Sequence, residues 1–134
     1  MINNTRITKL VWRSQVAAVA QLLAGGKLQL RAGPRSISVE NEPPQDSAVL
    51  VELPFPEEFA FIDSNTFAFR KLIGVATTMG KVTHFRCISA KGEAVLDGSA
   101  GKGDADVPLE DAQIYPGMEI TIDEFSHTLK GLNK

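Results

Sequence analysis

The chain has 134 residues, a hydrophobic share of 43%, a charged share of 22% and a formal net charge of −2. That is enough chain for one globular domain with its own core, and such a charge gives no electrostatic case for nucleic acid or an anionic membrane as partner. The single cysteine, Cys87, excludes an internal disulfide and fits a reducing compartment.

No run approaches the roughly 18 to 20 apolar residues of a membrane span. Val16 to Ala24 is apolar except at Gln21, but Trp12, Arg13, Ser14 and Gln15 interrupt the approach and no small-residue cleavage site follows. The N-terminus is therefore not read as a secretion signal.

Residues 9–24 carry the one good helical pattern. Trp12, Val16, Val19 and Leu23 recur at helical spacing and form one stripe. Four alanines between 17 and 24 add propensity. Thr5 or Thr8 suits the N-cap, and Gly25 suits a left-handed end. The stripe is expected to pack across a sheet. An arm docking on a neighbouring subunit is the alternative.

Lys27 to Arg31 alternates as a short strand with Leu28 and Leu30 on one face. Ala32 to Ser47 reads as loop, since Gly33, Pro34, Pro43 and Pro44 break it, with a short edge pairing at Ile37 and Val39. Ala48 to Leu53 is almost wholly apolar, the pattern of a strand buried on both faces. Pro54 and Pro56 end it, and Phe55 between them is expected to anchor the core. Phe59, Phe61, Phe67 and Phe69 flank Asp63-Ser64-Asn65-Thr66, which predicts two short strands and a hairpin turn. With no basic patch beside them, these rings read as core bulk and not as a platform for stacked bases.

Leu72 to Thr78 predicts a further strand, with Gly74 as a bulge. Lys81 to Ser89 predicts another, with Thr83, Phe85 and Cys87 on one face and Val82, His84, Arg86 and Ile88 on the other. Ala90-Lys91-Gly92-Glu93 turns the chain into a partner strand, Ala94 to Asp97. Gly98 to Asp104 reads as a loop, and Ala105, Val107 and Leu109 mark a third strand. Pro116-Gly117 has type II turn composition. Met118, Ile120 and Ile122 then alternate inward, but Phe125, His127 and Leu129 take the opposite parity. An irregularity is predicted at Asp123-Glu124. Residues 130–134 are expected to fray.

The reading is a mainly β, single domain: an antiparallel, jelly-roll-like β-sandwich over about 27–129, with 7–9 strands and one N-terminal helix.

Candidate chemistry is sparse. Gly101-Lys102-Gly103-Asp104 lacks Walker spacing and leads into a strand, so no helix N-terminus would receive a phosphate. Asp97, Asp104 and Asp106 could offer oxygens to calcium, but the twelve-residue loop pattern is absent. His84, Cys87 and His127 are of the residue types that bind zinc, yet His84 and Cys87 are predicted on opposite faces. No G-x-S-x-G element occurs, and Cys87 is expected to be buried and inert. Glu57-Glu58 and Glu110-Asp111 are adjacent acids, which face apart on an extended chain. No catalytic, cofactor-binding or metal-binding residue is assigned, and no small-molecule substrate is expected.

Several segments carry a resemblance to one family. They are Gly26-Lys27-Leu28-Gln29-Leu30, Leu50-Val51-Glu52-Leu53-Pro54, Gly74-Val75-Ala76-Thr77-Thr78, Thr83-His84-Phe85-Arg86 and Asp97-Gly98. Gly103-Asp104-Ala105-Asp106-Val107-Pro108-Leu109 and Ile114-Tyr115-Pro116-Gly117-Met118-Glu119-Ile120-Thr121-Ile122 complete the set. Over roughly residues 25–129 the chain resembles small proteins encoded among the virion structural genes of tailed phages and prophages. The resemblance implies a non-enzymatic subunit, either capsid-decorating (cement) or tail-associated, and carries over no catalytic residue. It implies homo-oligomerisation, other virion structural proteins as partners, and a place in the virion after assembly in the bacterial host cytoplasm. A host-surface or carbohydrate-binding β-module is the alternative. Trp12 and Tyr115 are the only Trp and Tyr, which is poor provision for sugar stacking.

Overall fold

The computed structural model describes residues 9–35, 47–63 and 65–128, with side chains described from Arg13. It contains α1 (Lys9–Leu23), β1 (Lys27–Ala32), β2 (Ala48–Pro54), β3 (Ala60–Asp63), β4 (Thr66–Val75), β5 (Gly80–Lys81), β6 (His84–Ile88), β7 (Ala94–Lys102), β8 (Val107–Leu109), β9 (Gln113–Ile114) and β10 (Glu119–Thr128). One sheet has the order β2-β1-β6-β7-β8 and a second β10-β4-β3, while β5 and β9 pair separately. The fold is thus mainly β and sandwich-like, with a single N-terminal helix. The described residues form ten strands because Lys81–Ser89 divides at Val82-Thr83 and its first piece pairs with Gln113–Ile114. Among the described residues all pairings are antiparallel except β7–β8, which is parallel.

The core lies between the two larger sheets. Leu28, Leu30, Phe85 and Cys87 meet Phe67, Phe69, Leu72, Ile122 and Phe125 there. α1 adds Val16, Ala20 and Leu23, all fully buried, with Val19 at the margin. These positions follow the helical period, so one face of α1 is apolar for a geometric reason. Gly25 ends the helix at φ 76°, and the Gly26 amide donates to the Leu23 carbonyl at 2.7 Å. The Trp12 side chain, the N-cap, the Ile37–Val39 pairing and the 130–134 tail lie outside the described residues.

Sequence patterning locates the chain's phase changes only in part. β10 buries Ile122 and then Phe125, as its reversed parity demands. β4 makes the matching change, burying Phe67 and Phe69 and then Leu72, so the two predicted strands on either side of Arg70 are one. The ladder keeps one register from Thr66↔Thr128 to Val75↔Glu119 but omits the rung of Lys71 and Asp123. Lys71 sits at φ 62°, and Gly74, predicted as a bulge, pairs regularly with Ile120. A left-handed conformation disfavours side chains, most of all β-branched ones. Lys71→Val is therefore expected to lower the unfolding free energy by about 1–2 kcal/mol, and Lys71→Gly to leave it within about 0.5 kcal/mol. Urea denaturation of the pair checks this. Equal losses would show that the backbone at residue 71 carries no strain.

Elsewhere, tertiary pairing overrides local composition. β7 runs through the glycines assigned to a loop and reaches Lys102, because Gly98 and Ser99 pair with Phe85 and His84. β2 is an edge strand and not a doubly buried one. Its outer face shows Glu52, while Leu50 falls where the register slips opposite Leu30 and Arg31. Gly92 and Gly117 take the positive φ their turns require, 89° and 90°.

Candidate functional site

The outer face of the five-stranded sheet carries a polar ladder. Register places Glu52, Gln29, Arg86 and Asp97 in one row across β2, β1, β6 and β7. Arg31, His84 and Ser99 form the next row. Gln29 Nε2 donates to Glu52 Oε2 at 2.9 Å, and Lys27 Nζ meets the same oxygen at 2.9 Å. Arg31 Nη1 donates to Gln29 Oε1 at 2.7 Å, and its Nε to Ser47 Oγ at 3.0 Å. Arg35 Nη2 reaches Asp97 Oδ1 at 2.8 Å. The Gln29 and Lys27 hydrogen bonds hold Glu52 below the usual carboxylate range.

Arg31, His84 and Arg86 are buried on this face although Phe85 and Cys87 are buried on the other. Strand β6 is thus covered on both sides, one side apolar and one polar. Lys27, Gln29, Arg31 and Glu52 are tied to one another by these bonds, which pins β1 against β2.

Thr83 Oγ lies 2.9 Å from His84 Nδ1 and also donates to the Gly33 carbonyl at 2.9 Å. Burial, with Arg31 and Arg35 nearby, pushes the His84 pKa down, and Asp97 only partly opposes this. The folded state therefore keeps His84 neutral at a pH where the unfolded chain, with an ordinary value of 6.5, already takes up a proton. That contribution to stability is complete above about 6.5 and is lost as pH falls through the folded value. His127, also shifted down by burial, acts in the same direction. Urea midpoints are expected to fall between pH 7 and pH 5, and to fall less steeply in His84→Gln. Parallel slopes would remove His84 from the account.

The residues considered for metals do not converge. Asp97 is held by Arg35. Asp106 Oδ2 accepts from the Ser99 amide at 2.9 Å and from Ser99 Oγ at 3.2 Å, while the Asp106 amide donates to Ser99 Oγ at 3.0 Å. That reciprocal pair closes the short β7–β8 connection and lets the two strands run parallel. Asp104 stands exposed on the same bend. His84 is on the outer face, Cys87 is fully buried, and His127 lies against the Phe67 ring at 6.0 Å. Burial pushes the Cys87 thiol well above its ordinary value, which leaves it a poor nucleophile. Among the described residues, no three His, Cys, Asp or Glu side chains form a metal-binding group. No described helix is long and apolar enough to cross a membrane.

Two surface features remain, and sequence reading found neither. The first is apolar. Ile73 and Val75 project from the same face of β4, 45% and 55% exposed, while Ile62 of β3, 56% exposed, lies apart at the Thr66 end of that strand. The Tyr115–Met118 turn is hydrogen-bonded to Ala76, next to Val75, and Tyr115 is itself exposed. Only the alternation of 72–75 hinted at this patch, since one residue of each pair must face out. The second is a groove of ≈770 Å³ between β8 and β10.

Compared with family models, curated proteins and solved structures, the chain matches none.

Proposed function

We propose that the protein is a non-enzymatic structural subunit of a tailed-phage or prophage virion, a capsid-decorating (cement) or tail-associated protein. It acts through contacts with copies of itself and with other virion proteins, within a particle assembled in the bacterial host cytoplasm. The resemblance over residues 25–129 supplies the particle. The observation that carries a contact role is the exposed apolar pair of Ile73 and Val75 on one face of β4, adjoined by Tyr115. Isolated apolar side chains are ordinary on a surface, but neighbouring ones suit a protein interface.

Mass spectrometry of purified particles is expected to find the chain. Particles that assemble and infect normally without it would overturn the reading. A carbohydrate- or host-surface-binding module has one feature in its favour, the 52% exposed Tyr115 ring, on which a sugar could stack. A glycan array with strong hits that Tyr115→Ala abolishes would favour that reading instead.

A further inference from the structure

The sandwich is open between β8 and β10, and each of these strands ends its sheet there. Among the described residues β8 pairs with β7 only and β10 with β4 only. The two edges are not equivalent. β8 is three residues long with Pro108 at its centre, which has no N–H to offer a new partner. β10 is ten residues long and contains no proline, lysine or arginine, residues that commonly guard an exposed edge. The consecutive residues 118–126 line the groove. An edge of that length offers a row of backbone donors and acceptors to an added strand.

The side chains specify what such a strand must carry. Ile120 and Ile122 pack toward the core, and with Leu109 they make the floor of the groove apolar. Six of the sixteen lining residues are acidic and none is basic. Glu110, Glu119 and Asp123 are exposed among them, whereas Asp106 is engaged by Ser99 and Glu124 lies 3.8 Å from Arg70. Residues 103–129 contain seven Asp or Glu and no Lys or Arg, which the net charge of −2 conceals. Cross-strand neighbours share a face, so a strand added to β10 continues both faces at once. Its apolar side chains would extend the floor, and the side chains between them would stand beside Glu119 and Asp123. Opposite charges facing each other across such a pair stabilise it, and like charges oppose it.

We propose that β10 takes up an extended segment of another protein, one in which apolar residues alternate with Lys or Arg. A second copy is a poor occupant. Its own β10 would bring the same acids to the rim, so like charges oppose pairing of this edge with itself. Its β3, the opposite edge of the same sheet, follows Glu57 and Glu58 and carries Asp63, which outweigh Arg13 beside it. The proposal deepens the assembly role given above and rests on it only for which protein supplies the strand, because the contact is read on purified chain alone.

A nine-residue peptide, KVTVKITVK, is the probe, and EVTVEITVE its acidic counterpart. Titration onto the full chain, followed by hydrogen exchange read by NMR, reports both affinity and mode. The basic peptide is expected to bind about tenfold more tightly than the acidic one, and Glu119→Lys/Asp123→Lys to reverse that preference. Alternate amides between 118 and 126 are expected to exchange fast in the free chain, because they face the groove, and to slow by about tenfold or more once the peptide is bound. A bound peptide that leaves these amides unprotected is held by charge alone and would overturn the proposal. If the double variant does not fold, salt decides on the wild type: the preference for the basic peptide is expected to vanish at about 1 M, where screening acts within about 3 Å. A preference that neither charge reversal nor salt alters, no binding of the basic peptide, or β10 amides already protected throughout in the free chain would each overturn it as well. None of these results bears on whether the chain is found in a particle.

Discussion

Phe69→Ala is expected to lower the unfolding free energy by about 3–5 kcal/mol, and the melting temperature by on the order of 10–20 °C. The Phe69 side chain is fully buried, and its ring lies 4.7 Å from Phe55, 5.8 Å from Phe67 and 6.0 Å from Phe59. Phe55 passes the contact to Phe125 at 5.6 Å, and Phe125 to Phe85 of the opposite sheet at 5.7 Å. Removing the Phe69 ring therefore leaves a void where the rings of β4, the Pro54–Pro56 corner and β10 converge. Each lost aromatic pair adds about 0.5–1.5 kcal/mol to the burial lost. Phe61→Ala is the control. Its ring is 37% exposed on β3 and covered mainly by Arg13 and Phe59, so a loss of about 1 kcal/mol is expected. Urea unfolding with unchanged slope would separate the two. Equal losses would mean that the phenylalanine cluster does not hold the sheets together.

What could be seen in the sequence was whatever depends on neighbours along the chain. The α1 stripe, the Gly25 stop and the turns at Gly92 and Gly117 are local, because period and positive φ are properties of a few consecutive residues. The reversed parity around Asp123 was visible for the same reason. Its counterpart at Lys71 was not, because Arg70-Lys71 has no turn composition and bends only to stay in step with β10. β7 was cut short for a similar cause. Gly98 and Gly101 look like loop residues until β6 and β8 pair with them. The polar ladder depends on register across four strands, so Glu52, Gln29, Arg86 and Asp97 share no pattern in one dimension. The groove was hidden by arithmetic as well as by distance. Glu110 and Asp111 read as solvated charges, and a summed charge near zero masked a basic start and an acidic end.

Gly26→Ala is expected to destabilise the fold by about 3 kcal/mol or more, although nothing in its local conformation demands glycine. The demand comes from three segments that meet there. The Gly26 amide donates to the Leu23 carbonyl at 2.7 Å, and its carbonyl accepts from the Phe55 amide at 2.9 Å. A methyl group at this Cα would fall inside van der Waals contact of the Ile88 carbonyl oxygen. It would also lie 2.9 Å from the Ser89 carbonyl carbon and 3.0 Å from the Leu23 oxygen. These are all backbone atoms, so no side chain can swing away. The end of β6 would have to part from the helix–strand junction, loosening Leu23 and Phe55 together. Gly25 next to it sets the scale. At φ 76° a side chain is strained by about 1–2 kcal/mol, but the nearest obstacle, Glu57 Oε1 at 2.8 Å, is the end of a mobile side chain. Gly25→Asn should therefore lose about 1 kcal/mol, since asparagine tolerates the left-handed region. Urea midpoints of Gly26→Ala and Gly25→Asn give the comparison. If Gly26→Ala proves the milder change, the close approach of β6 to the helix end is not what holds α1 against the sandwich.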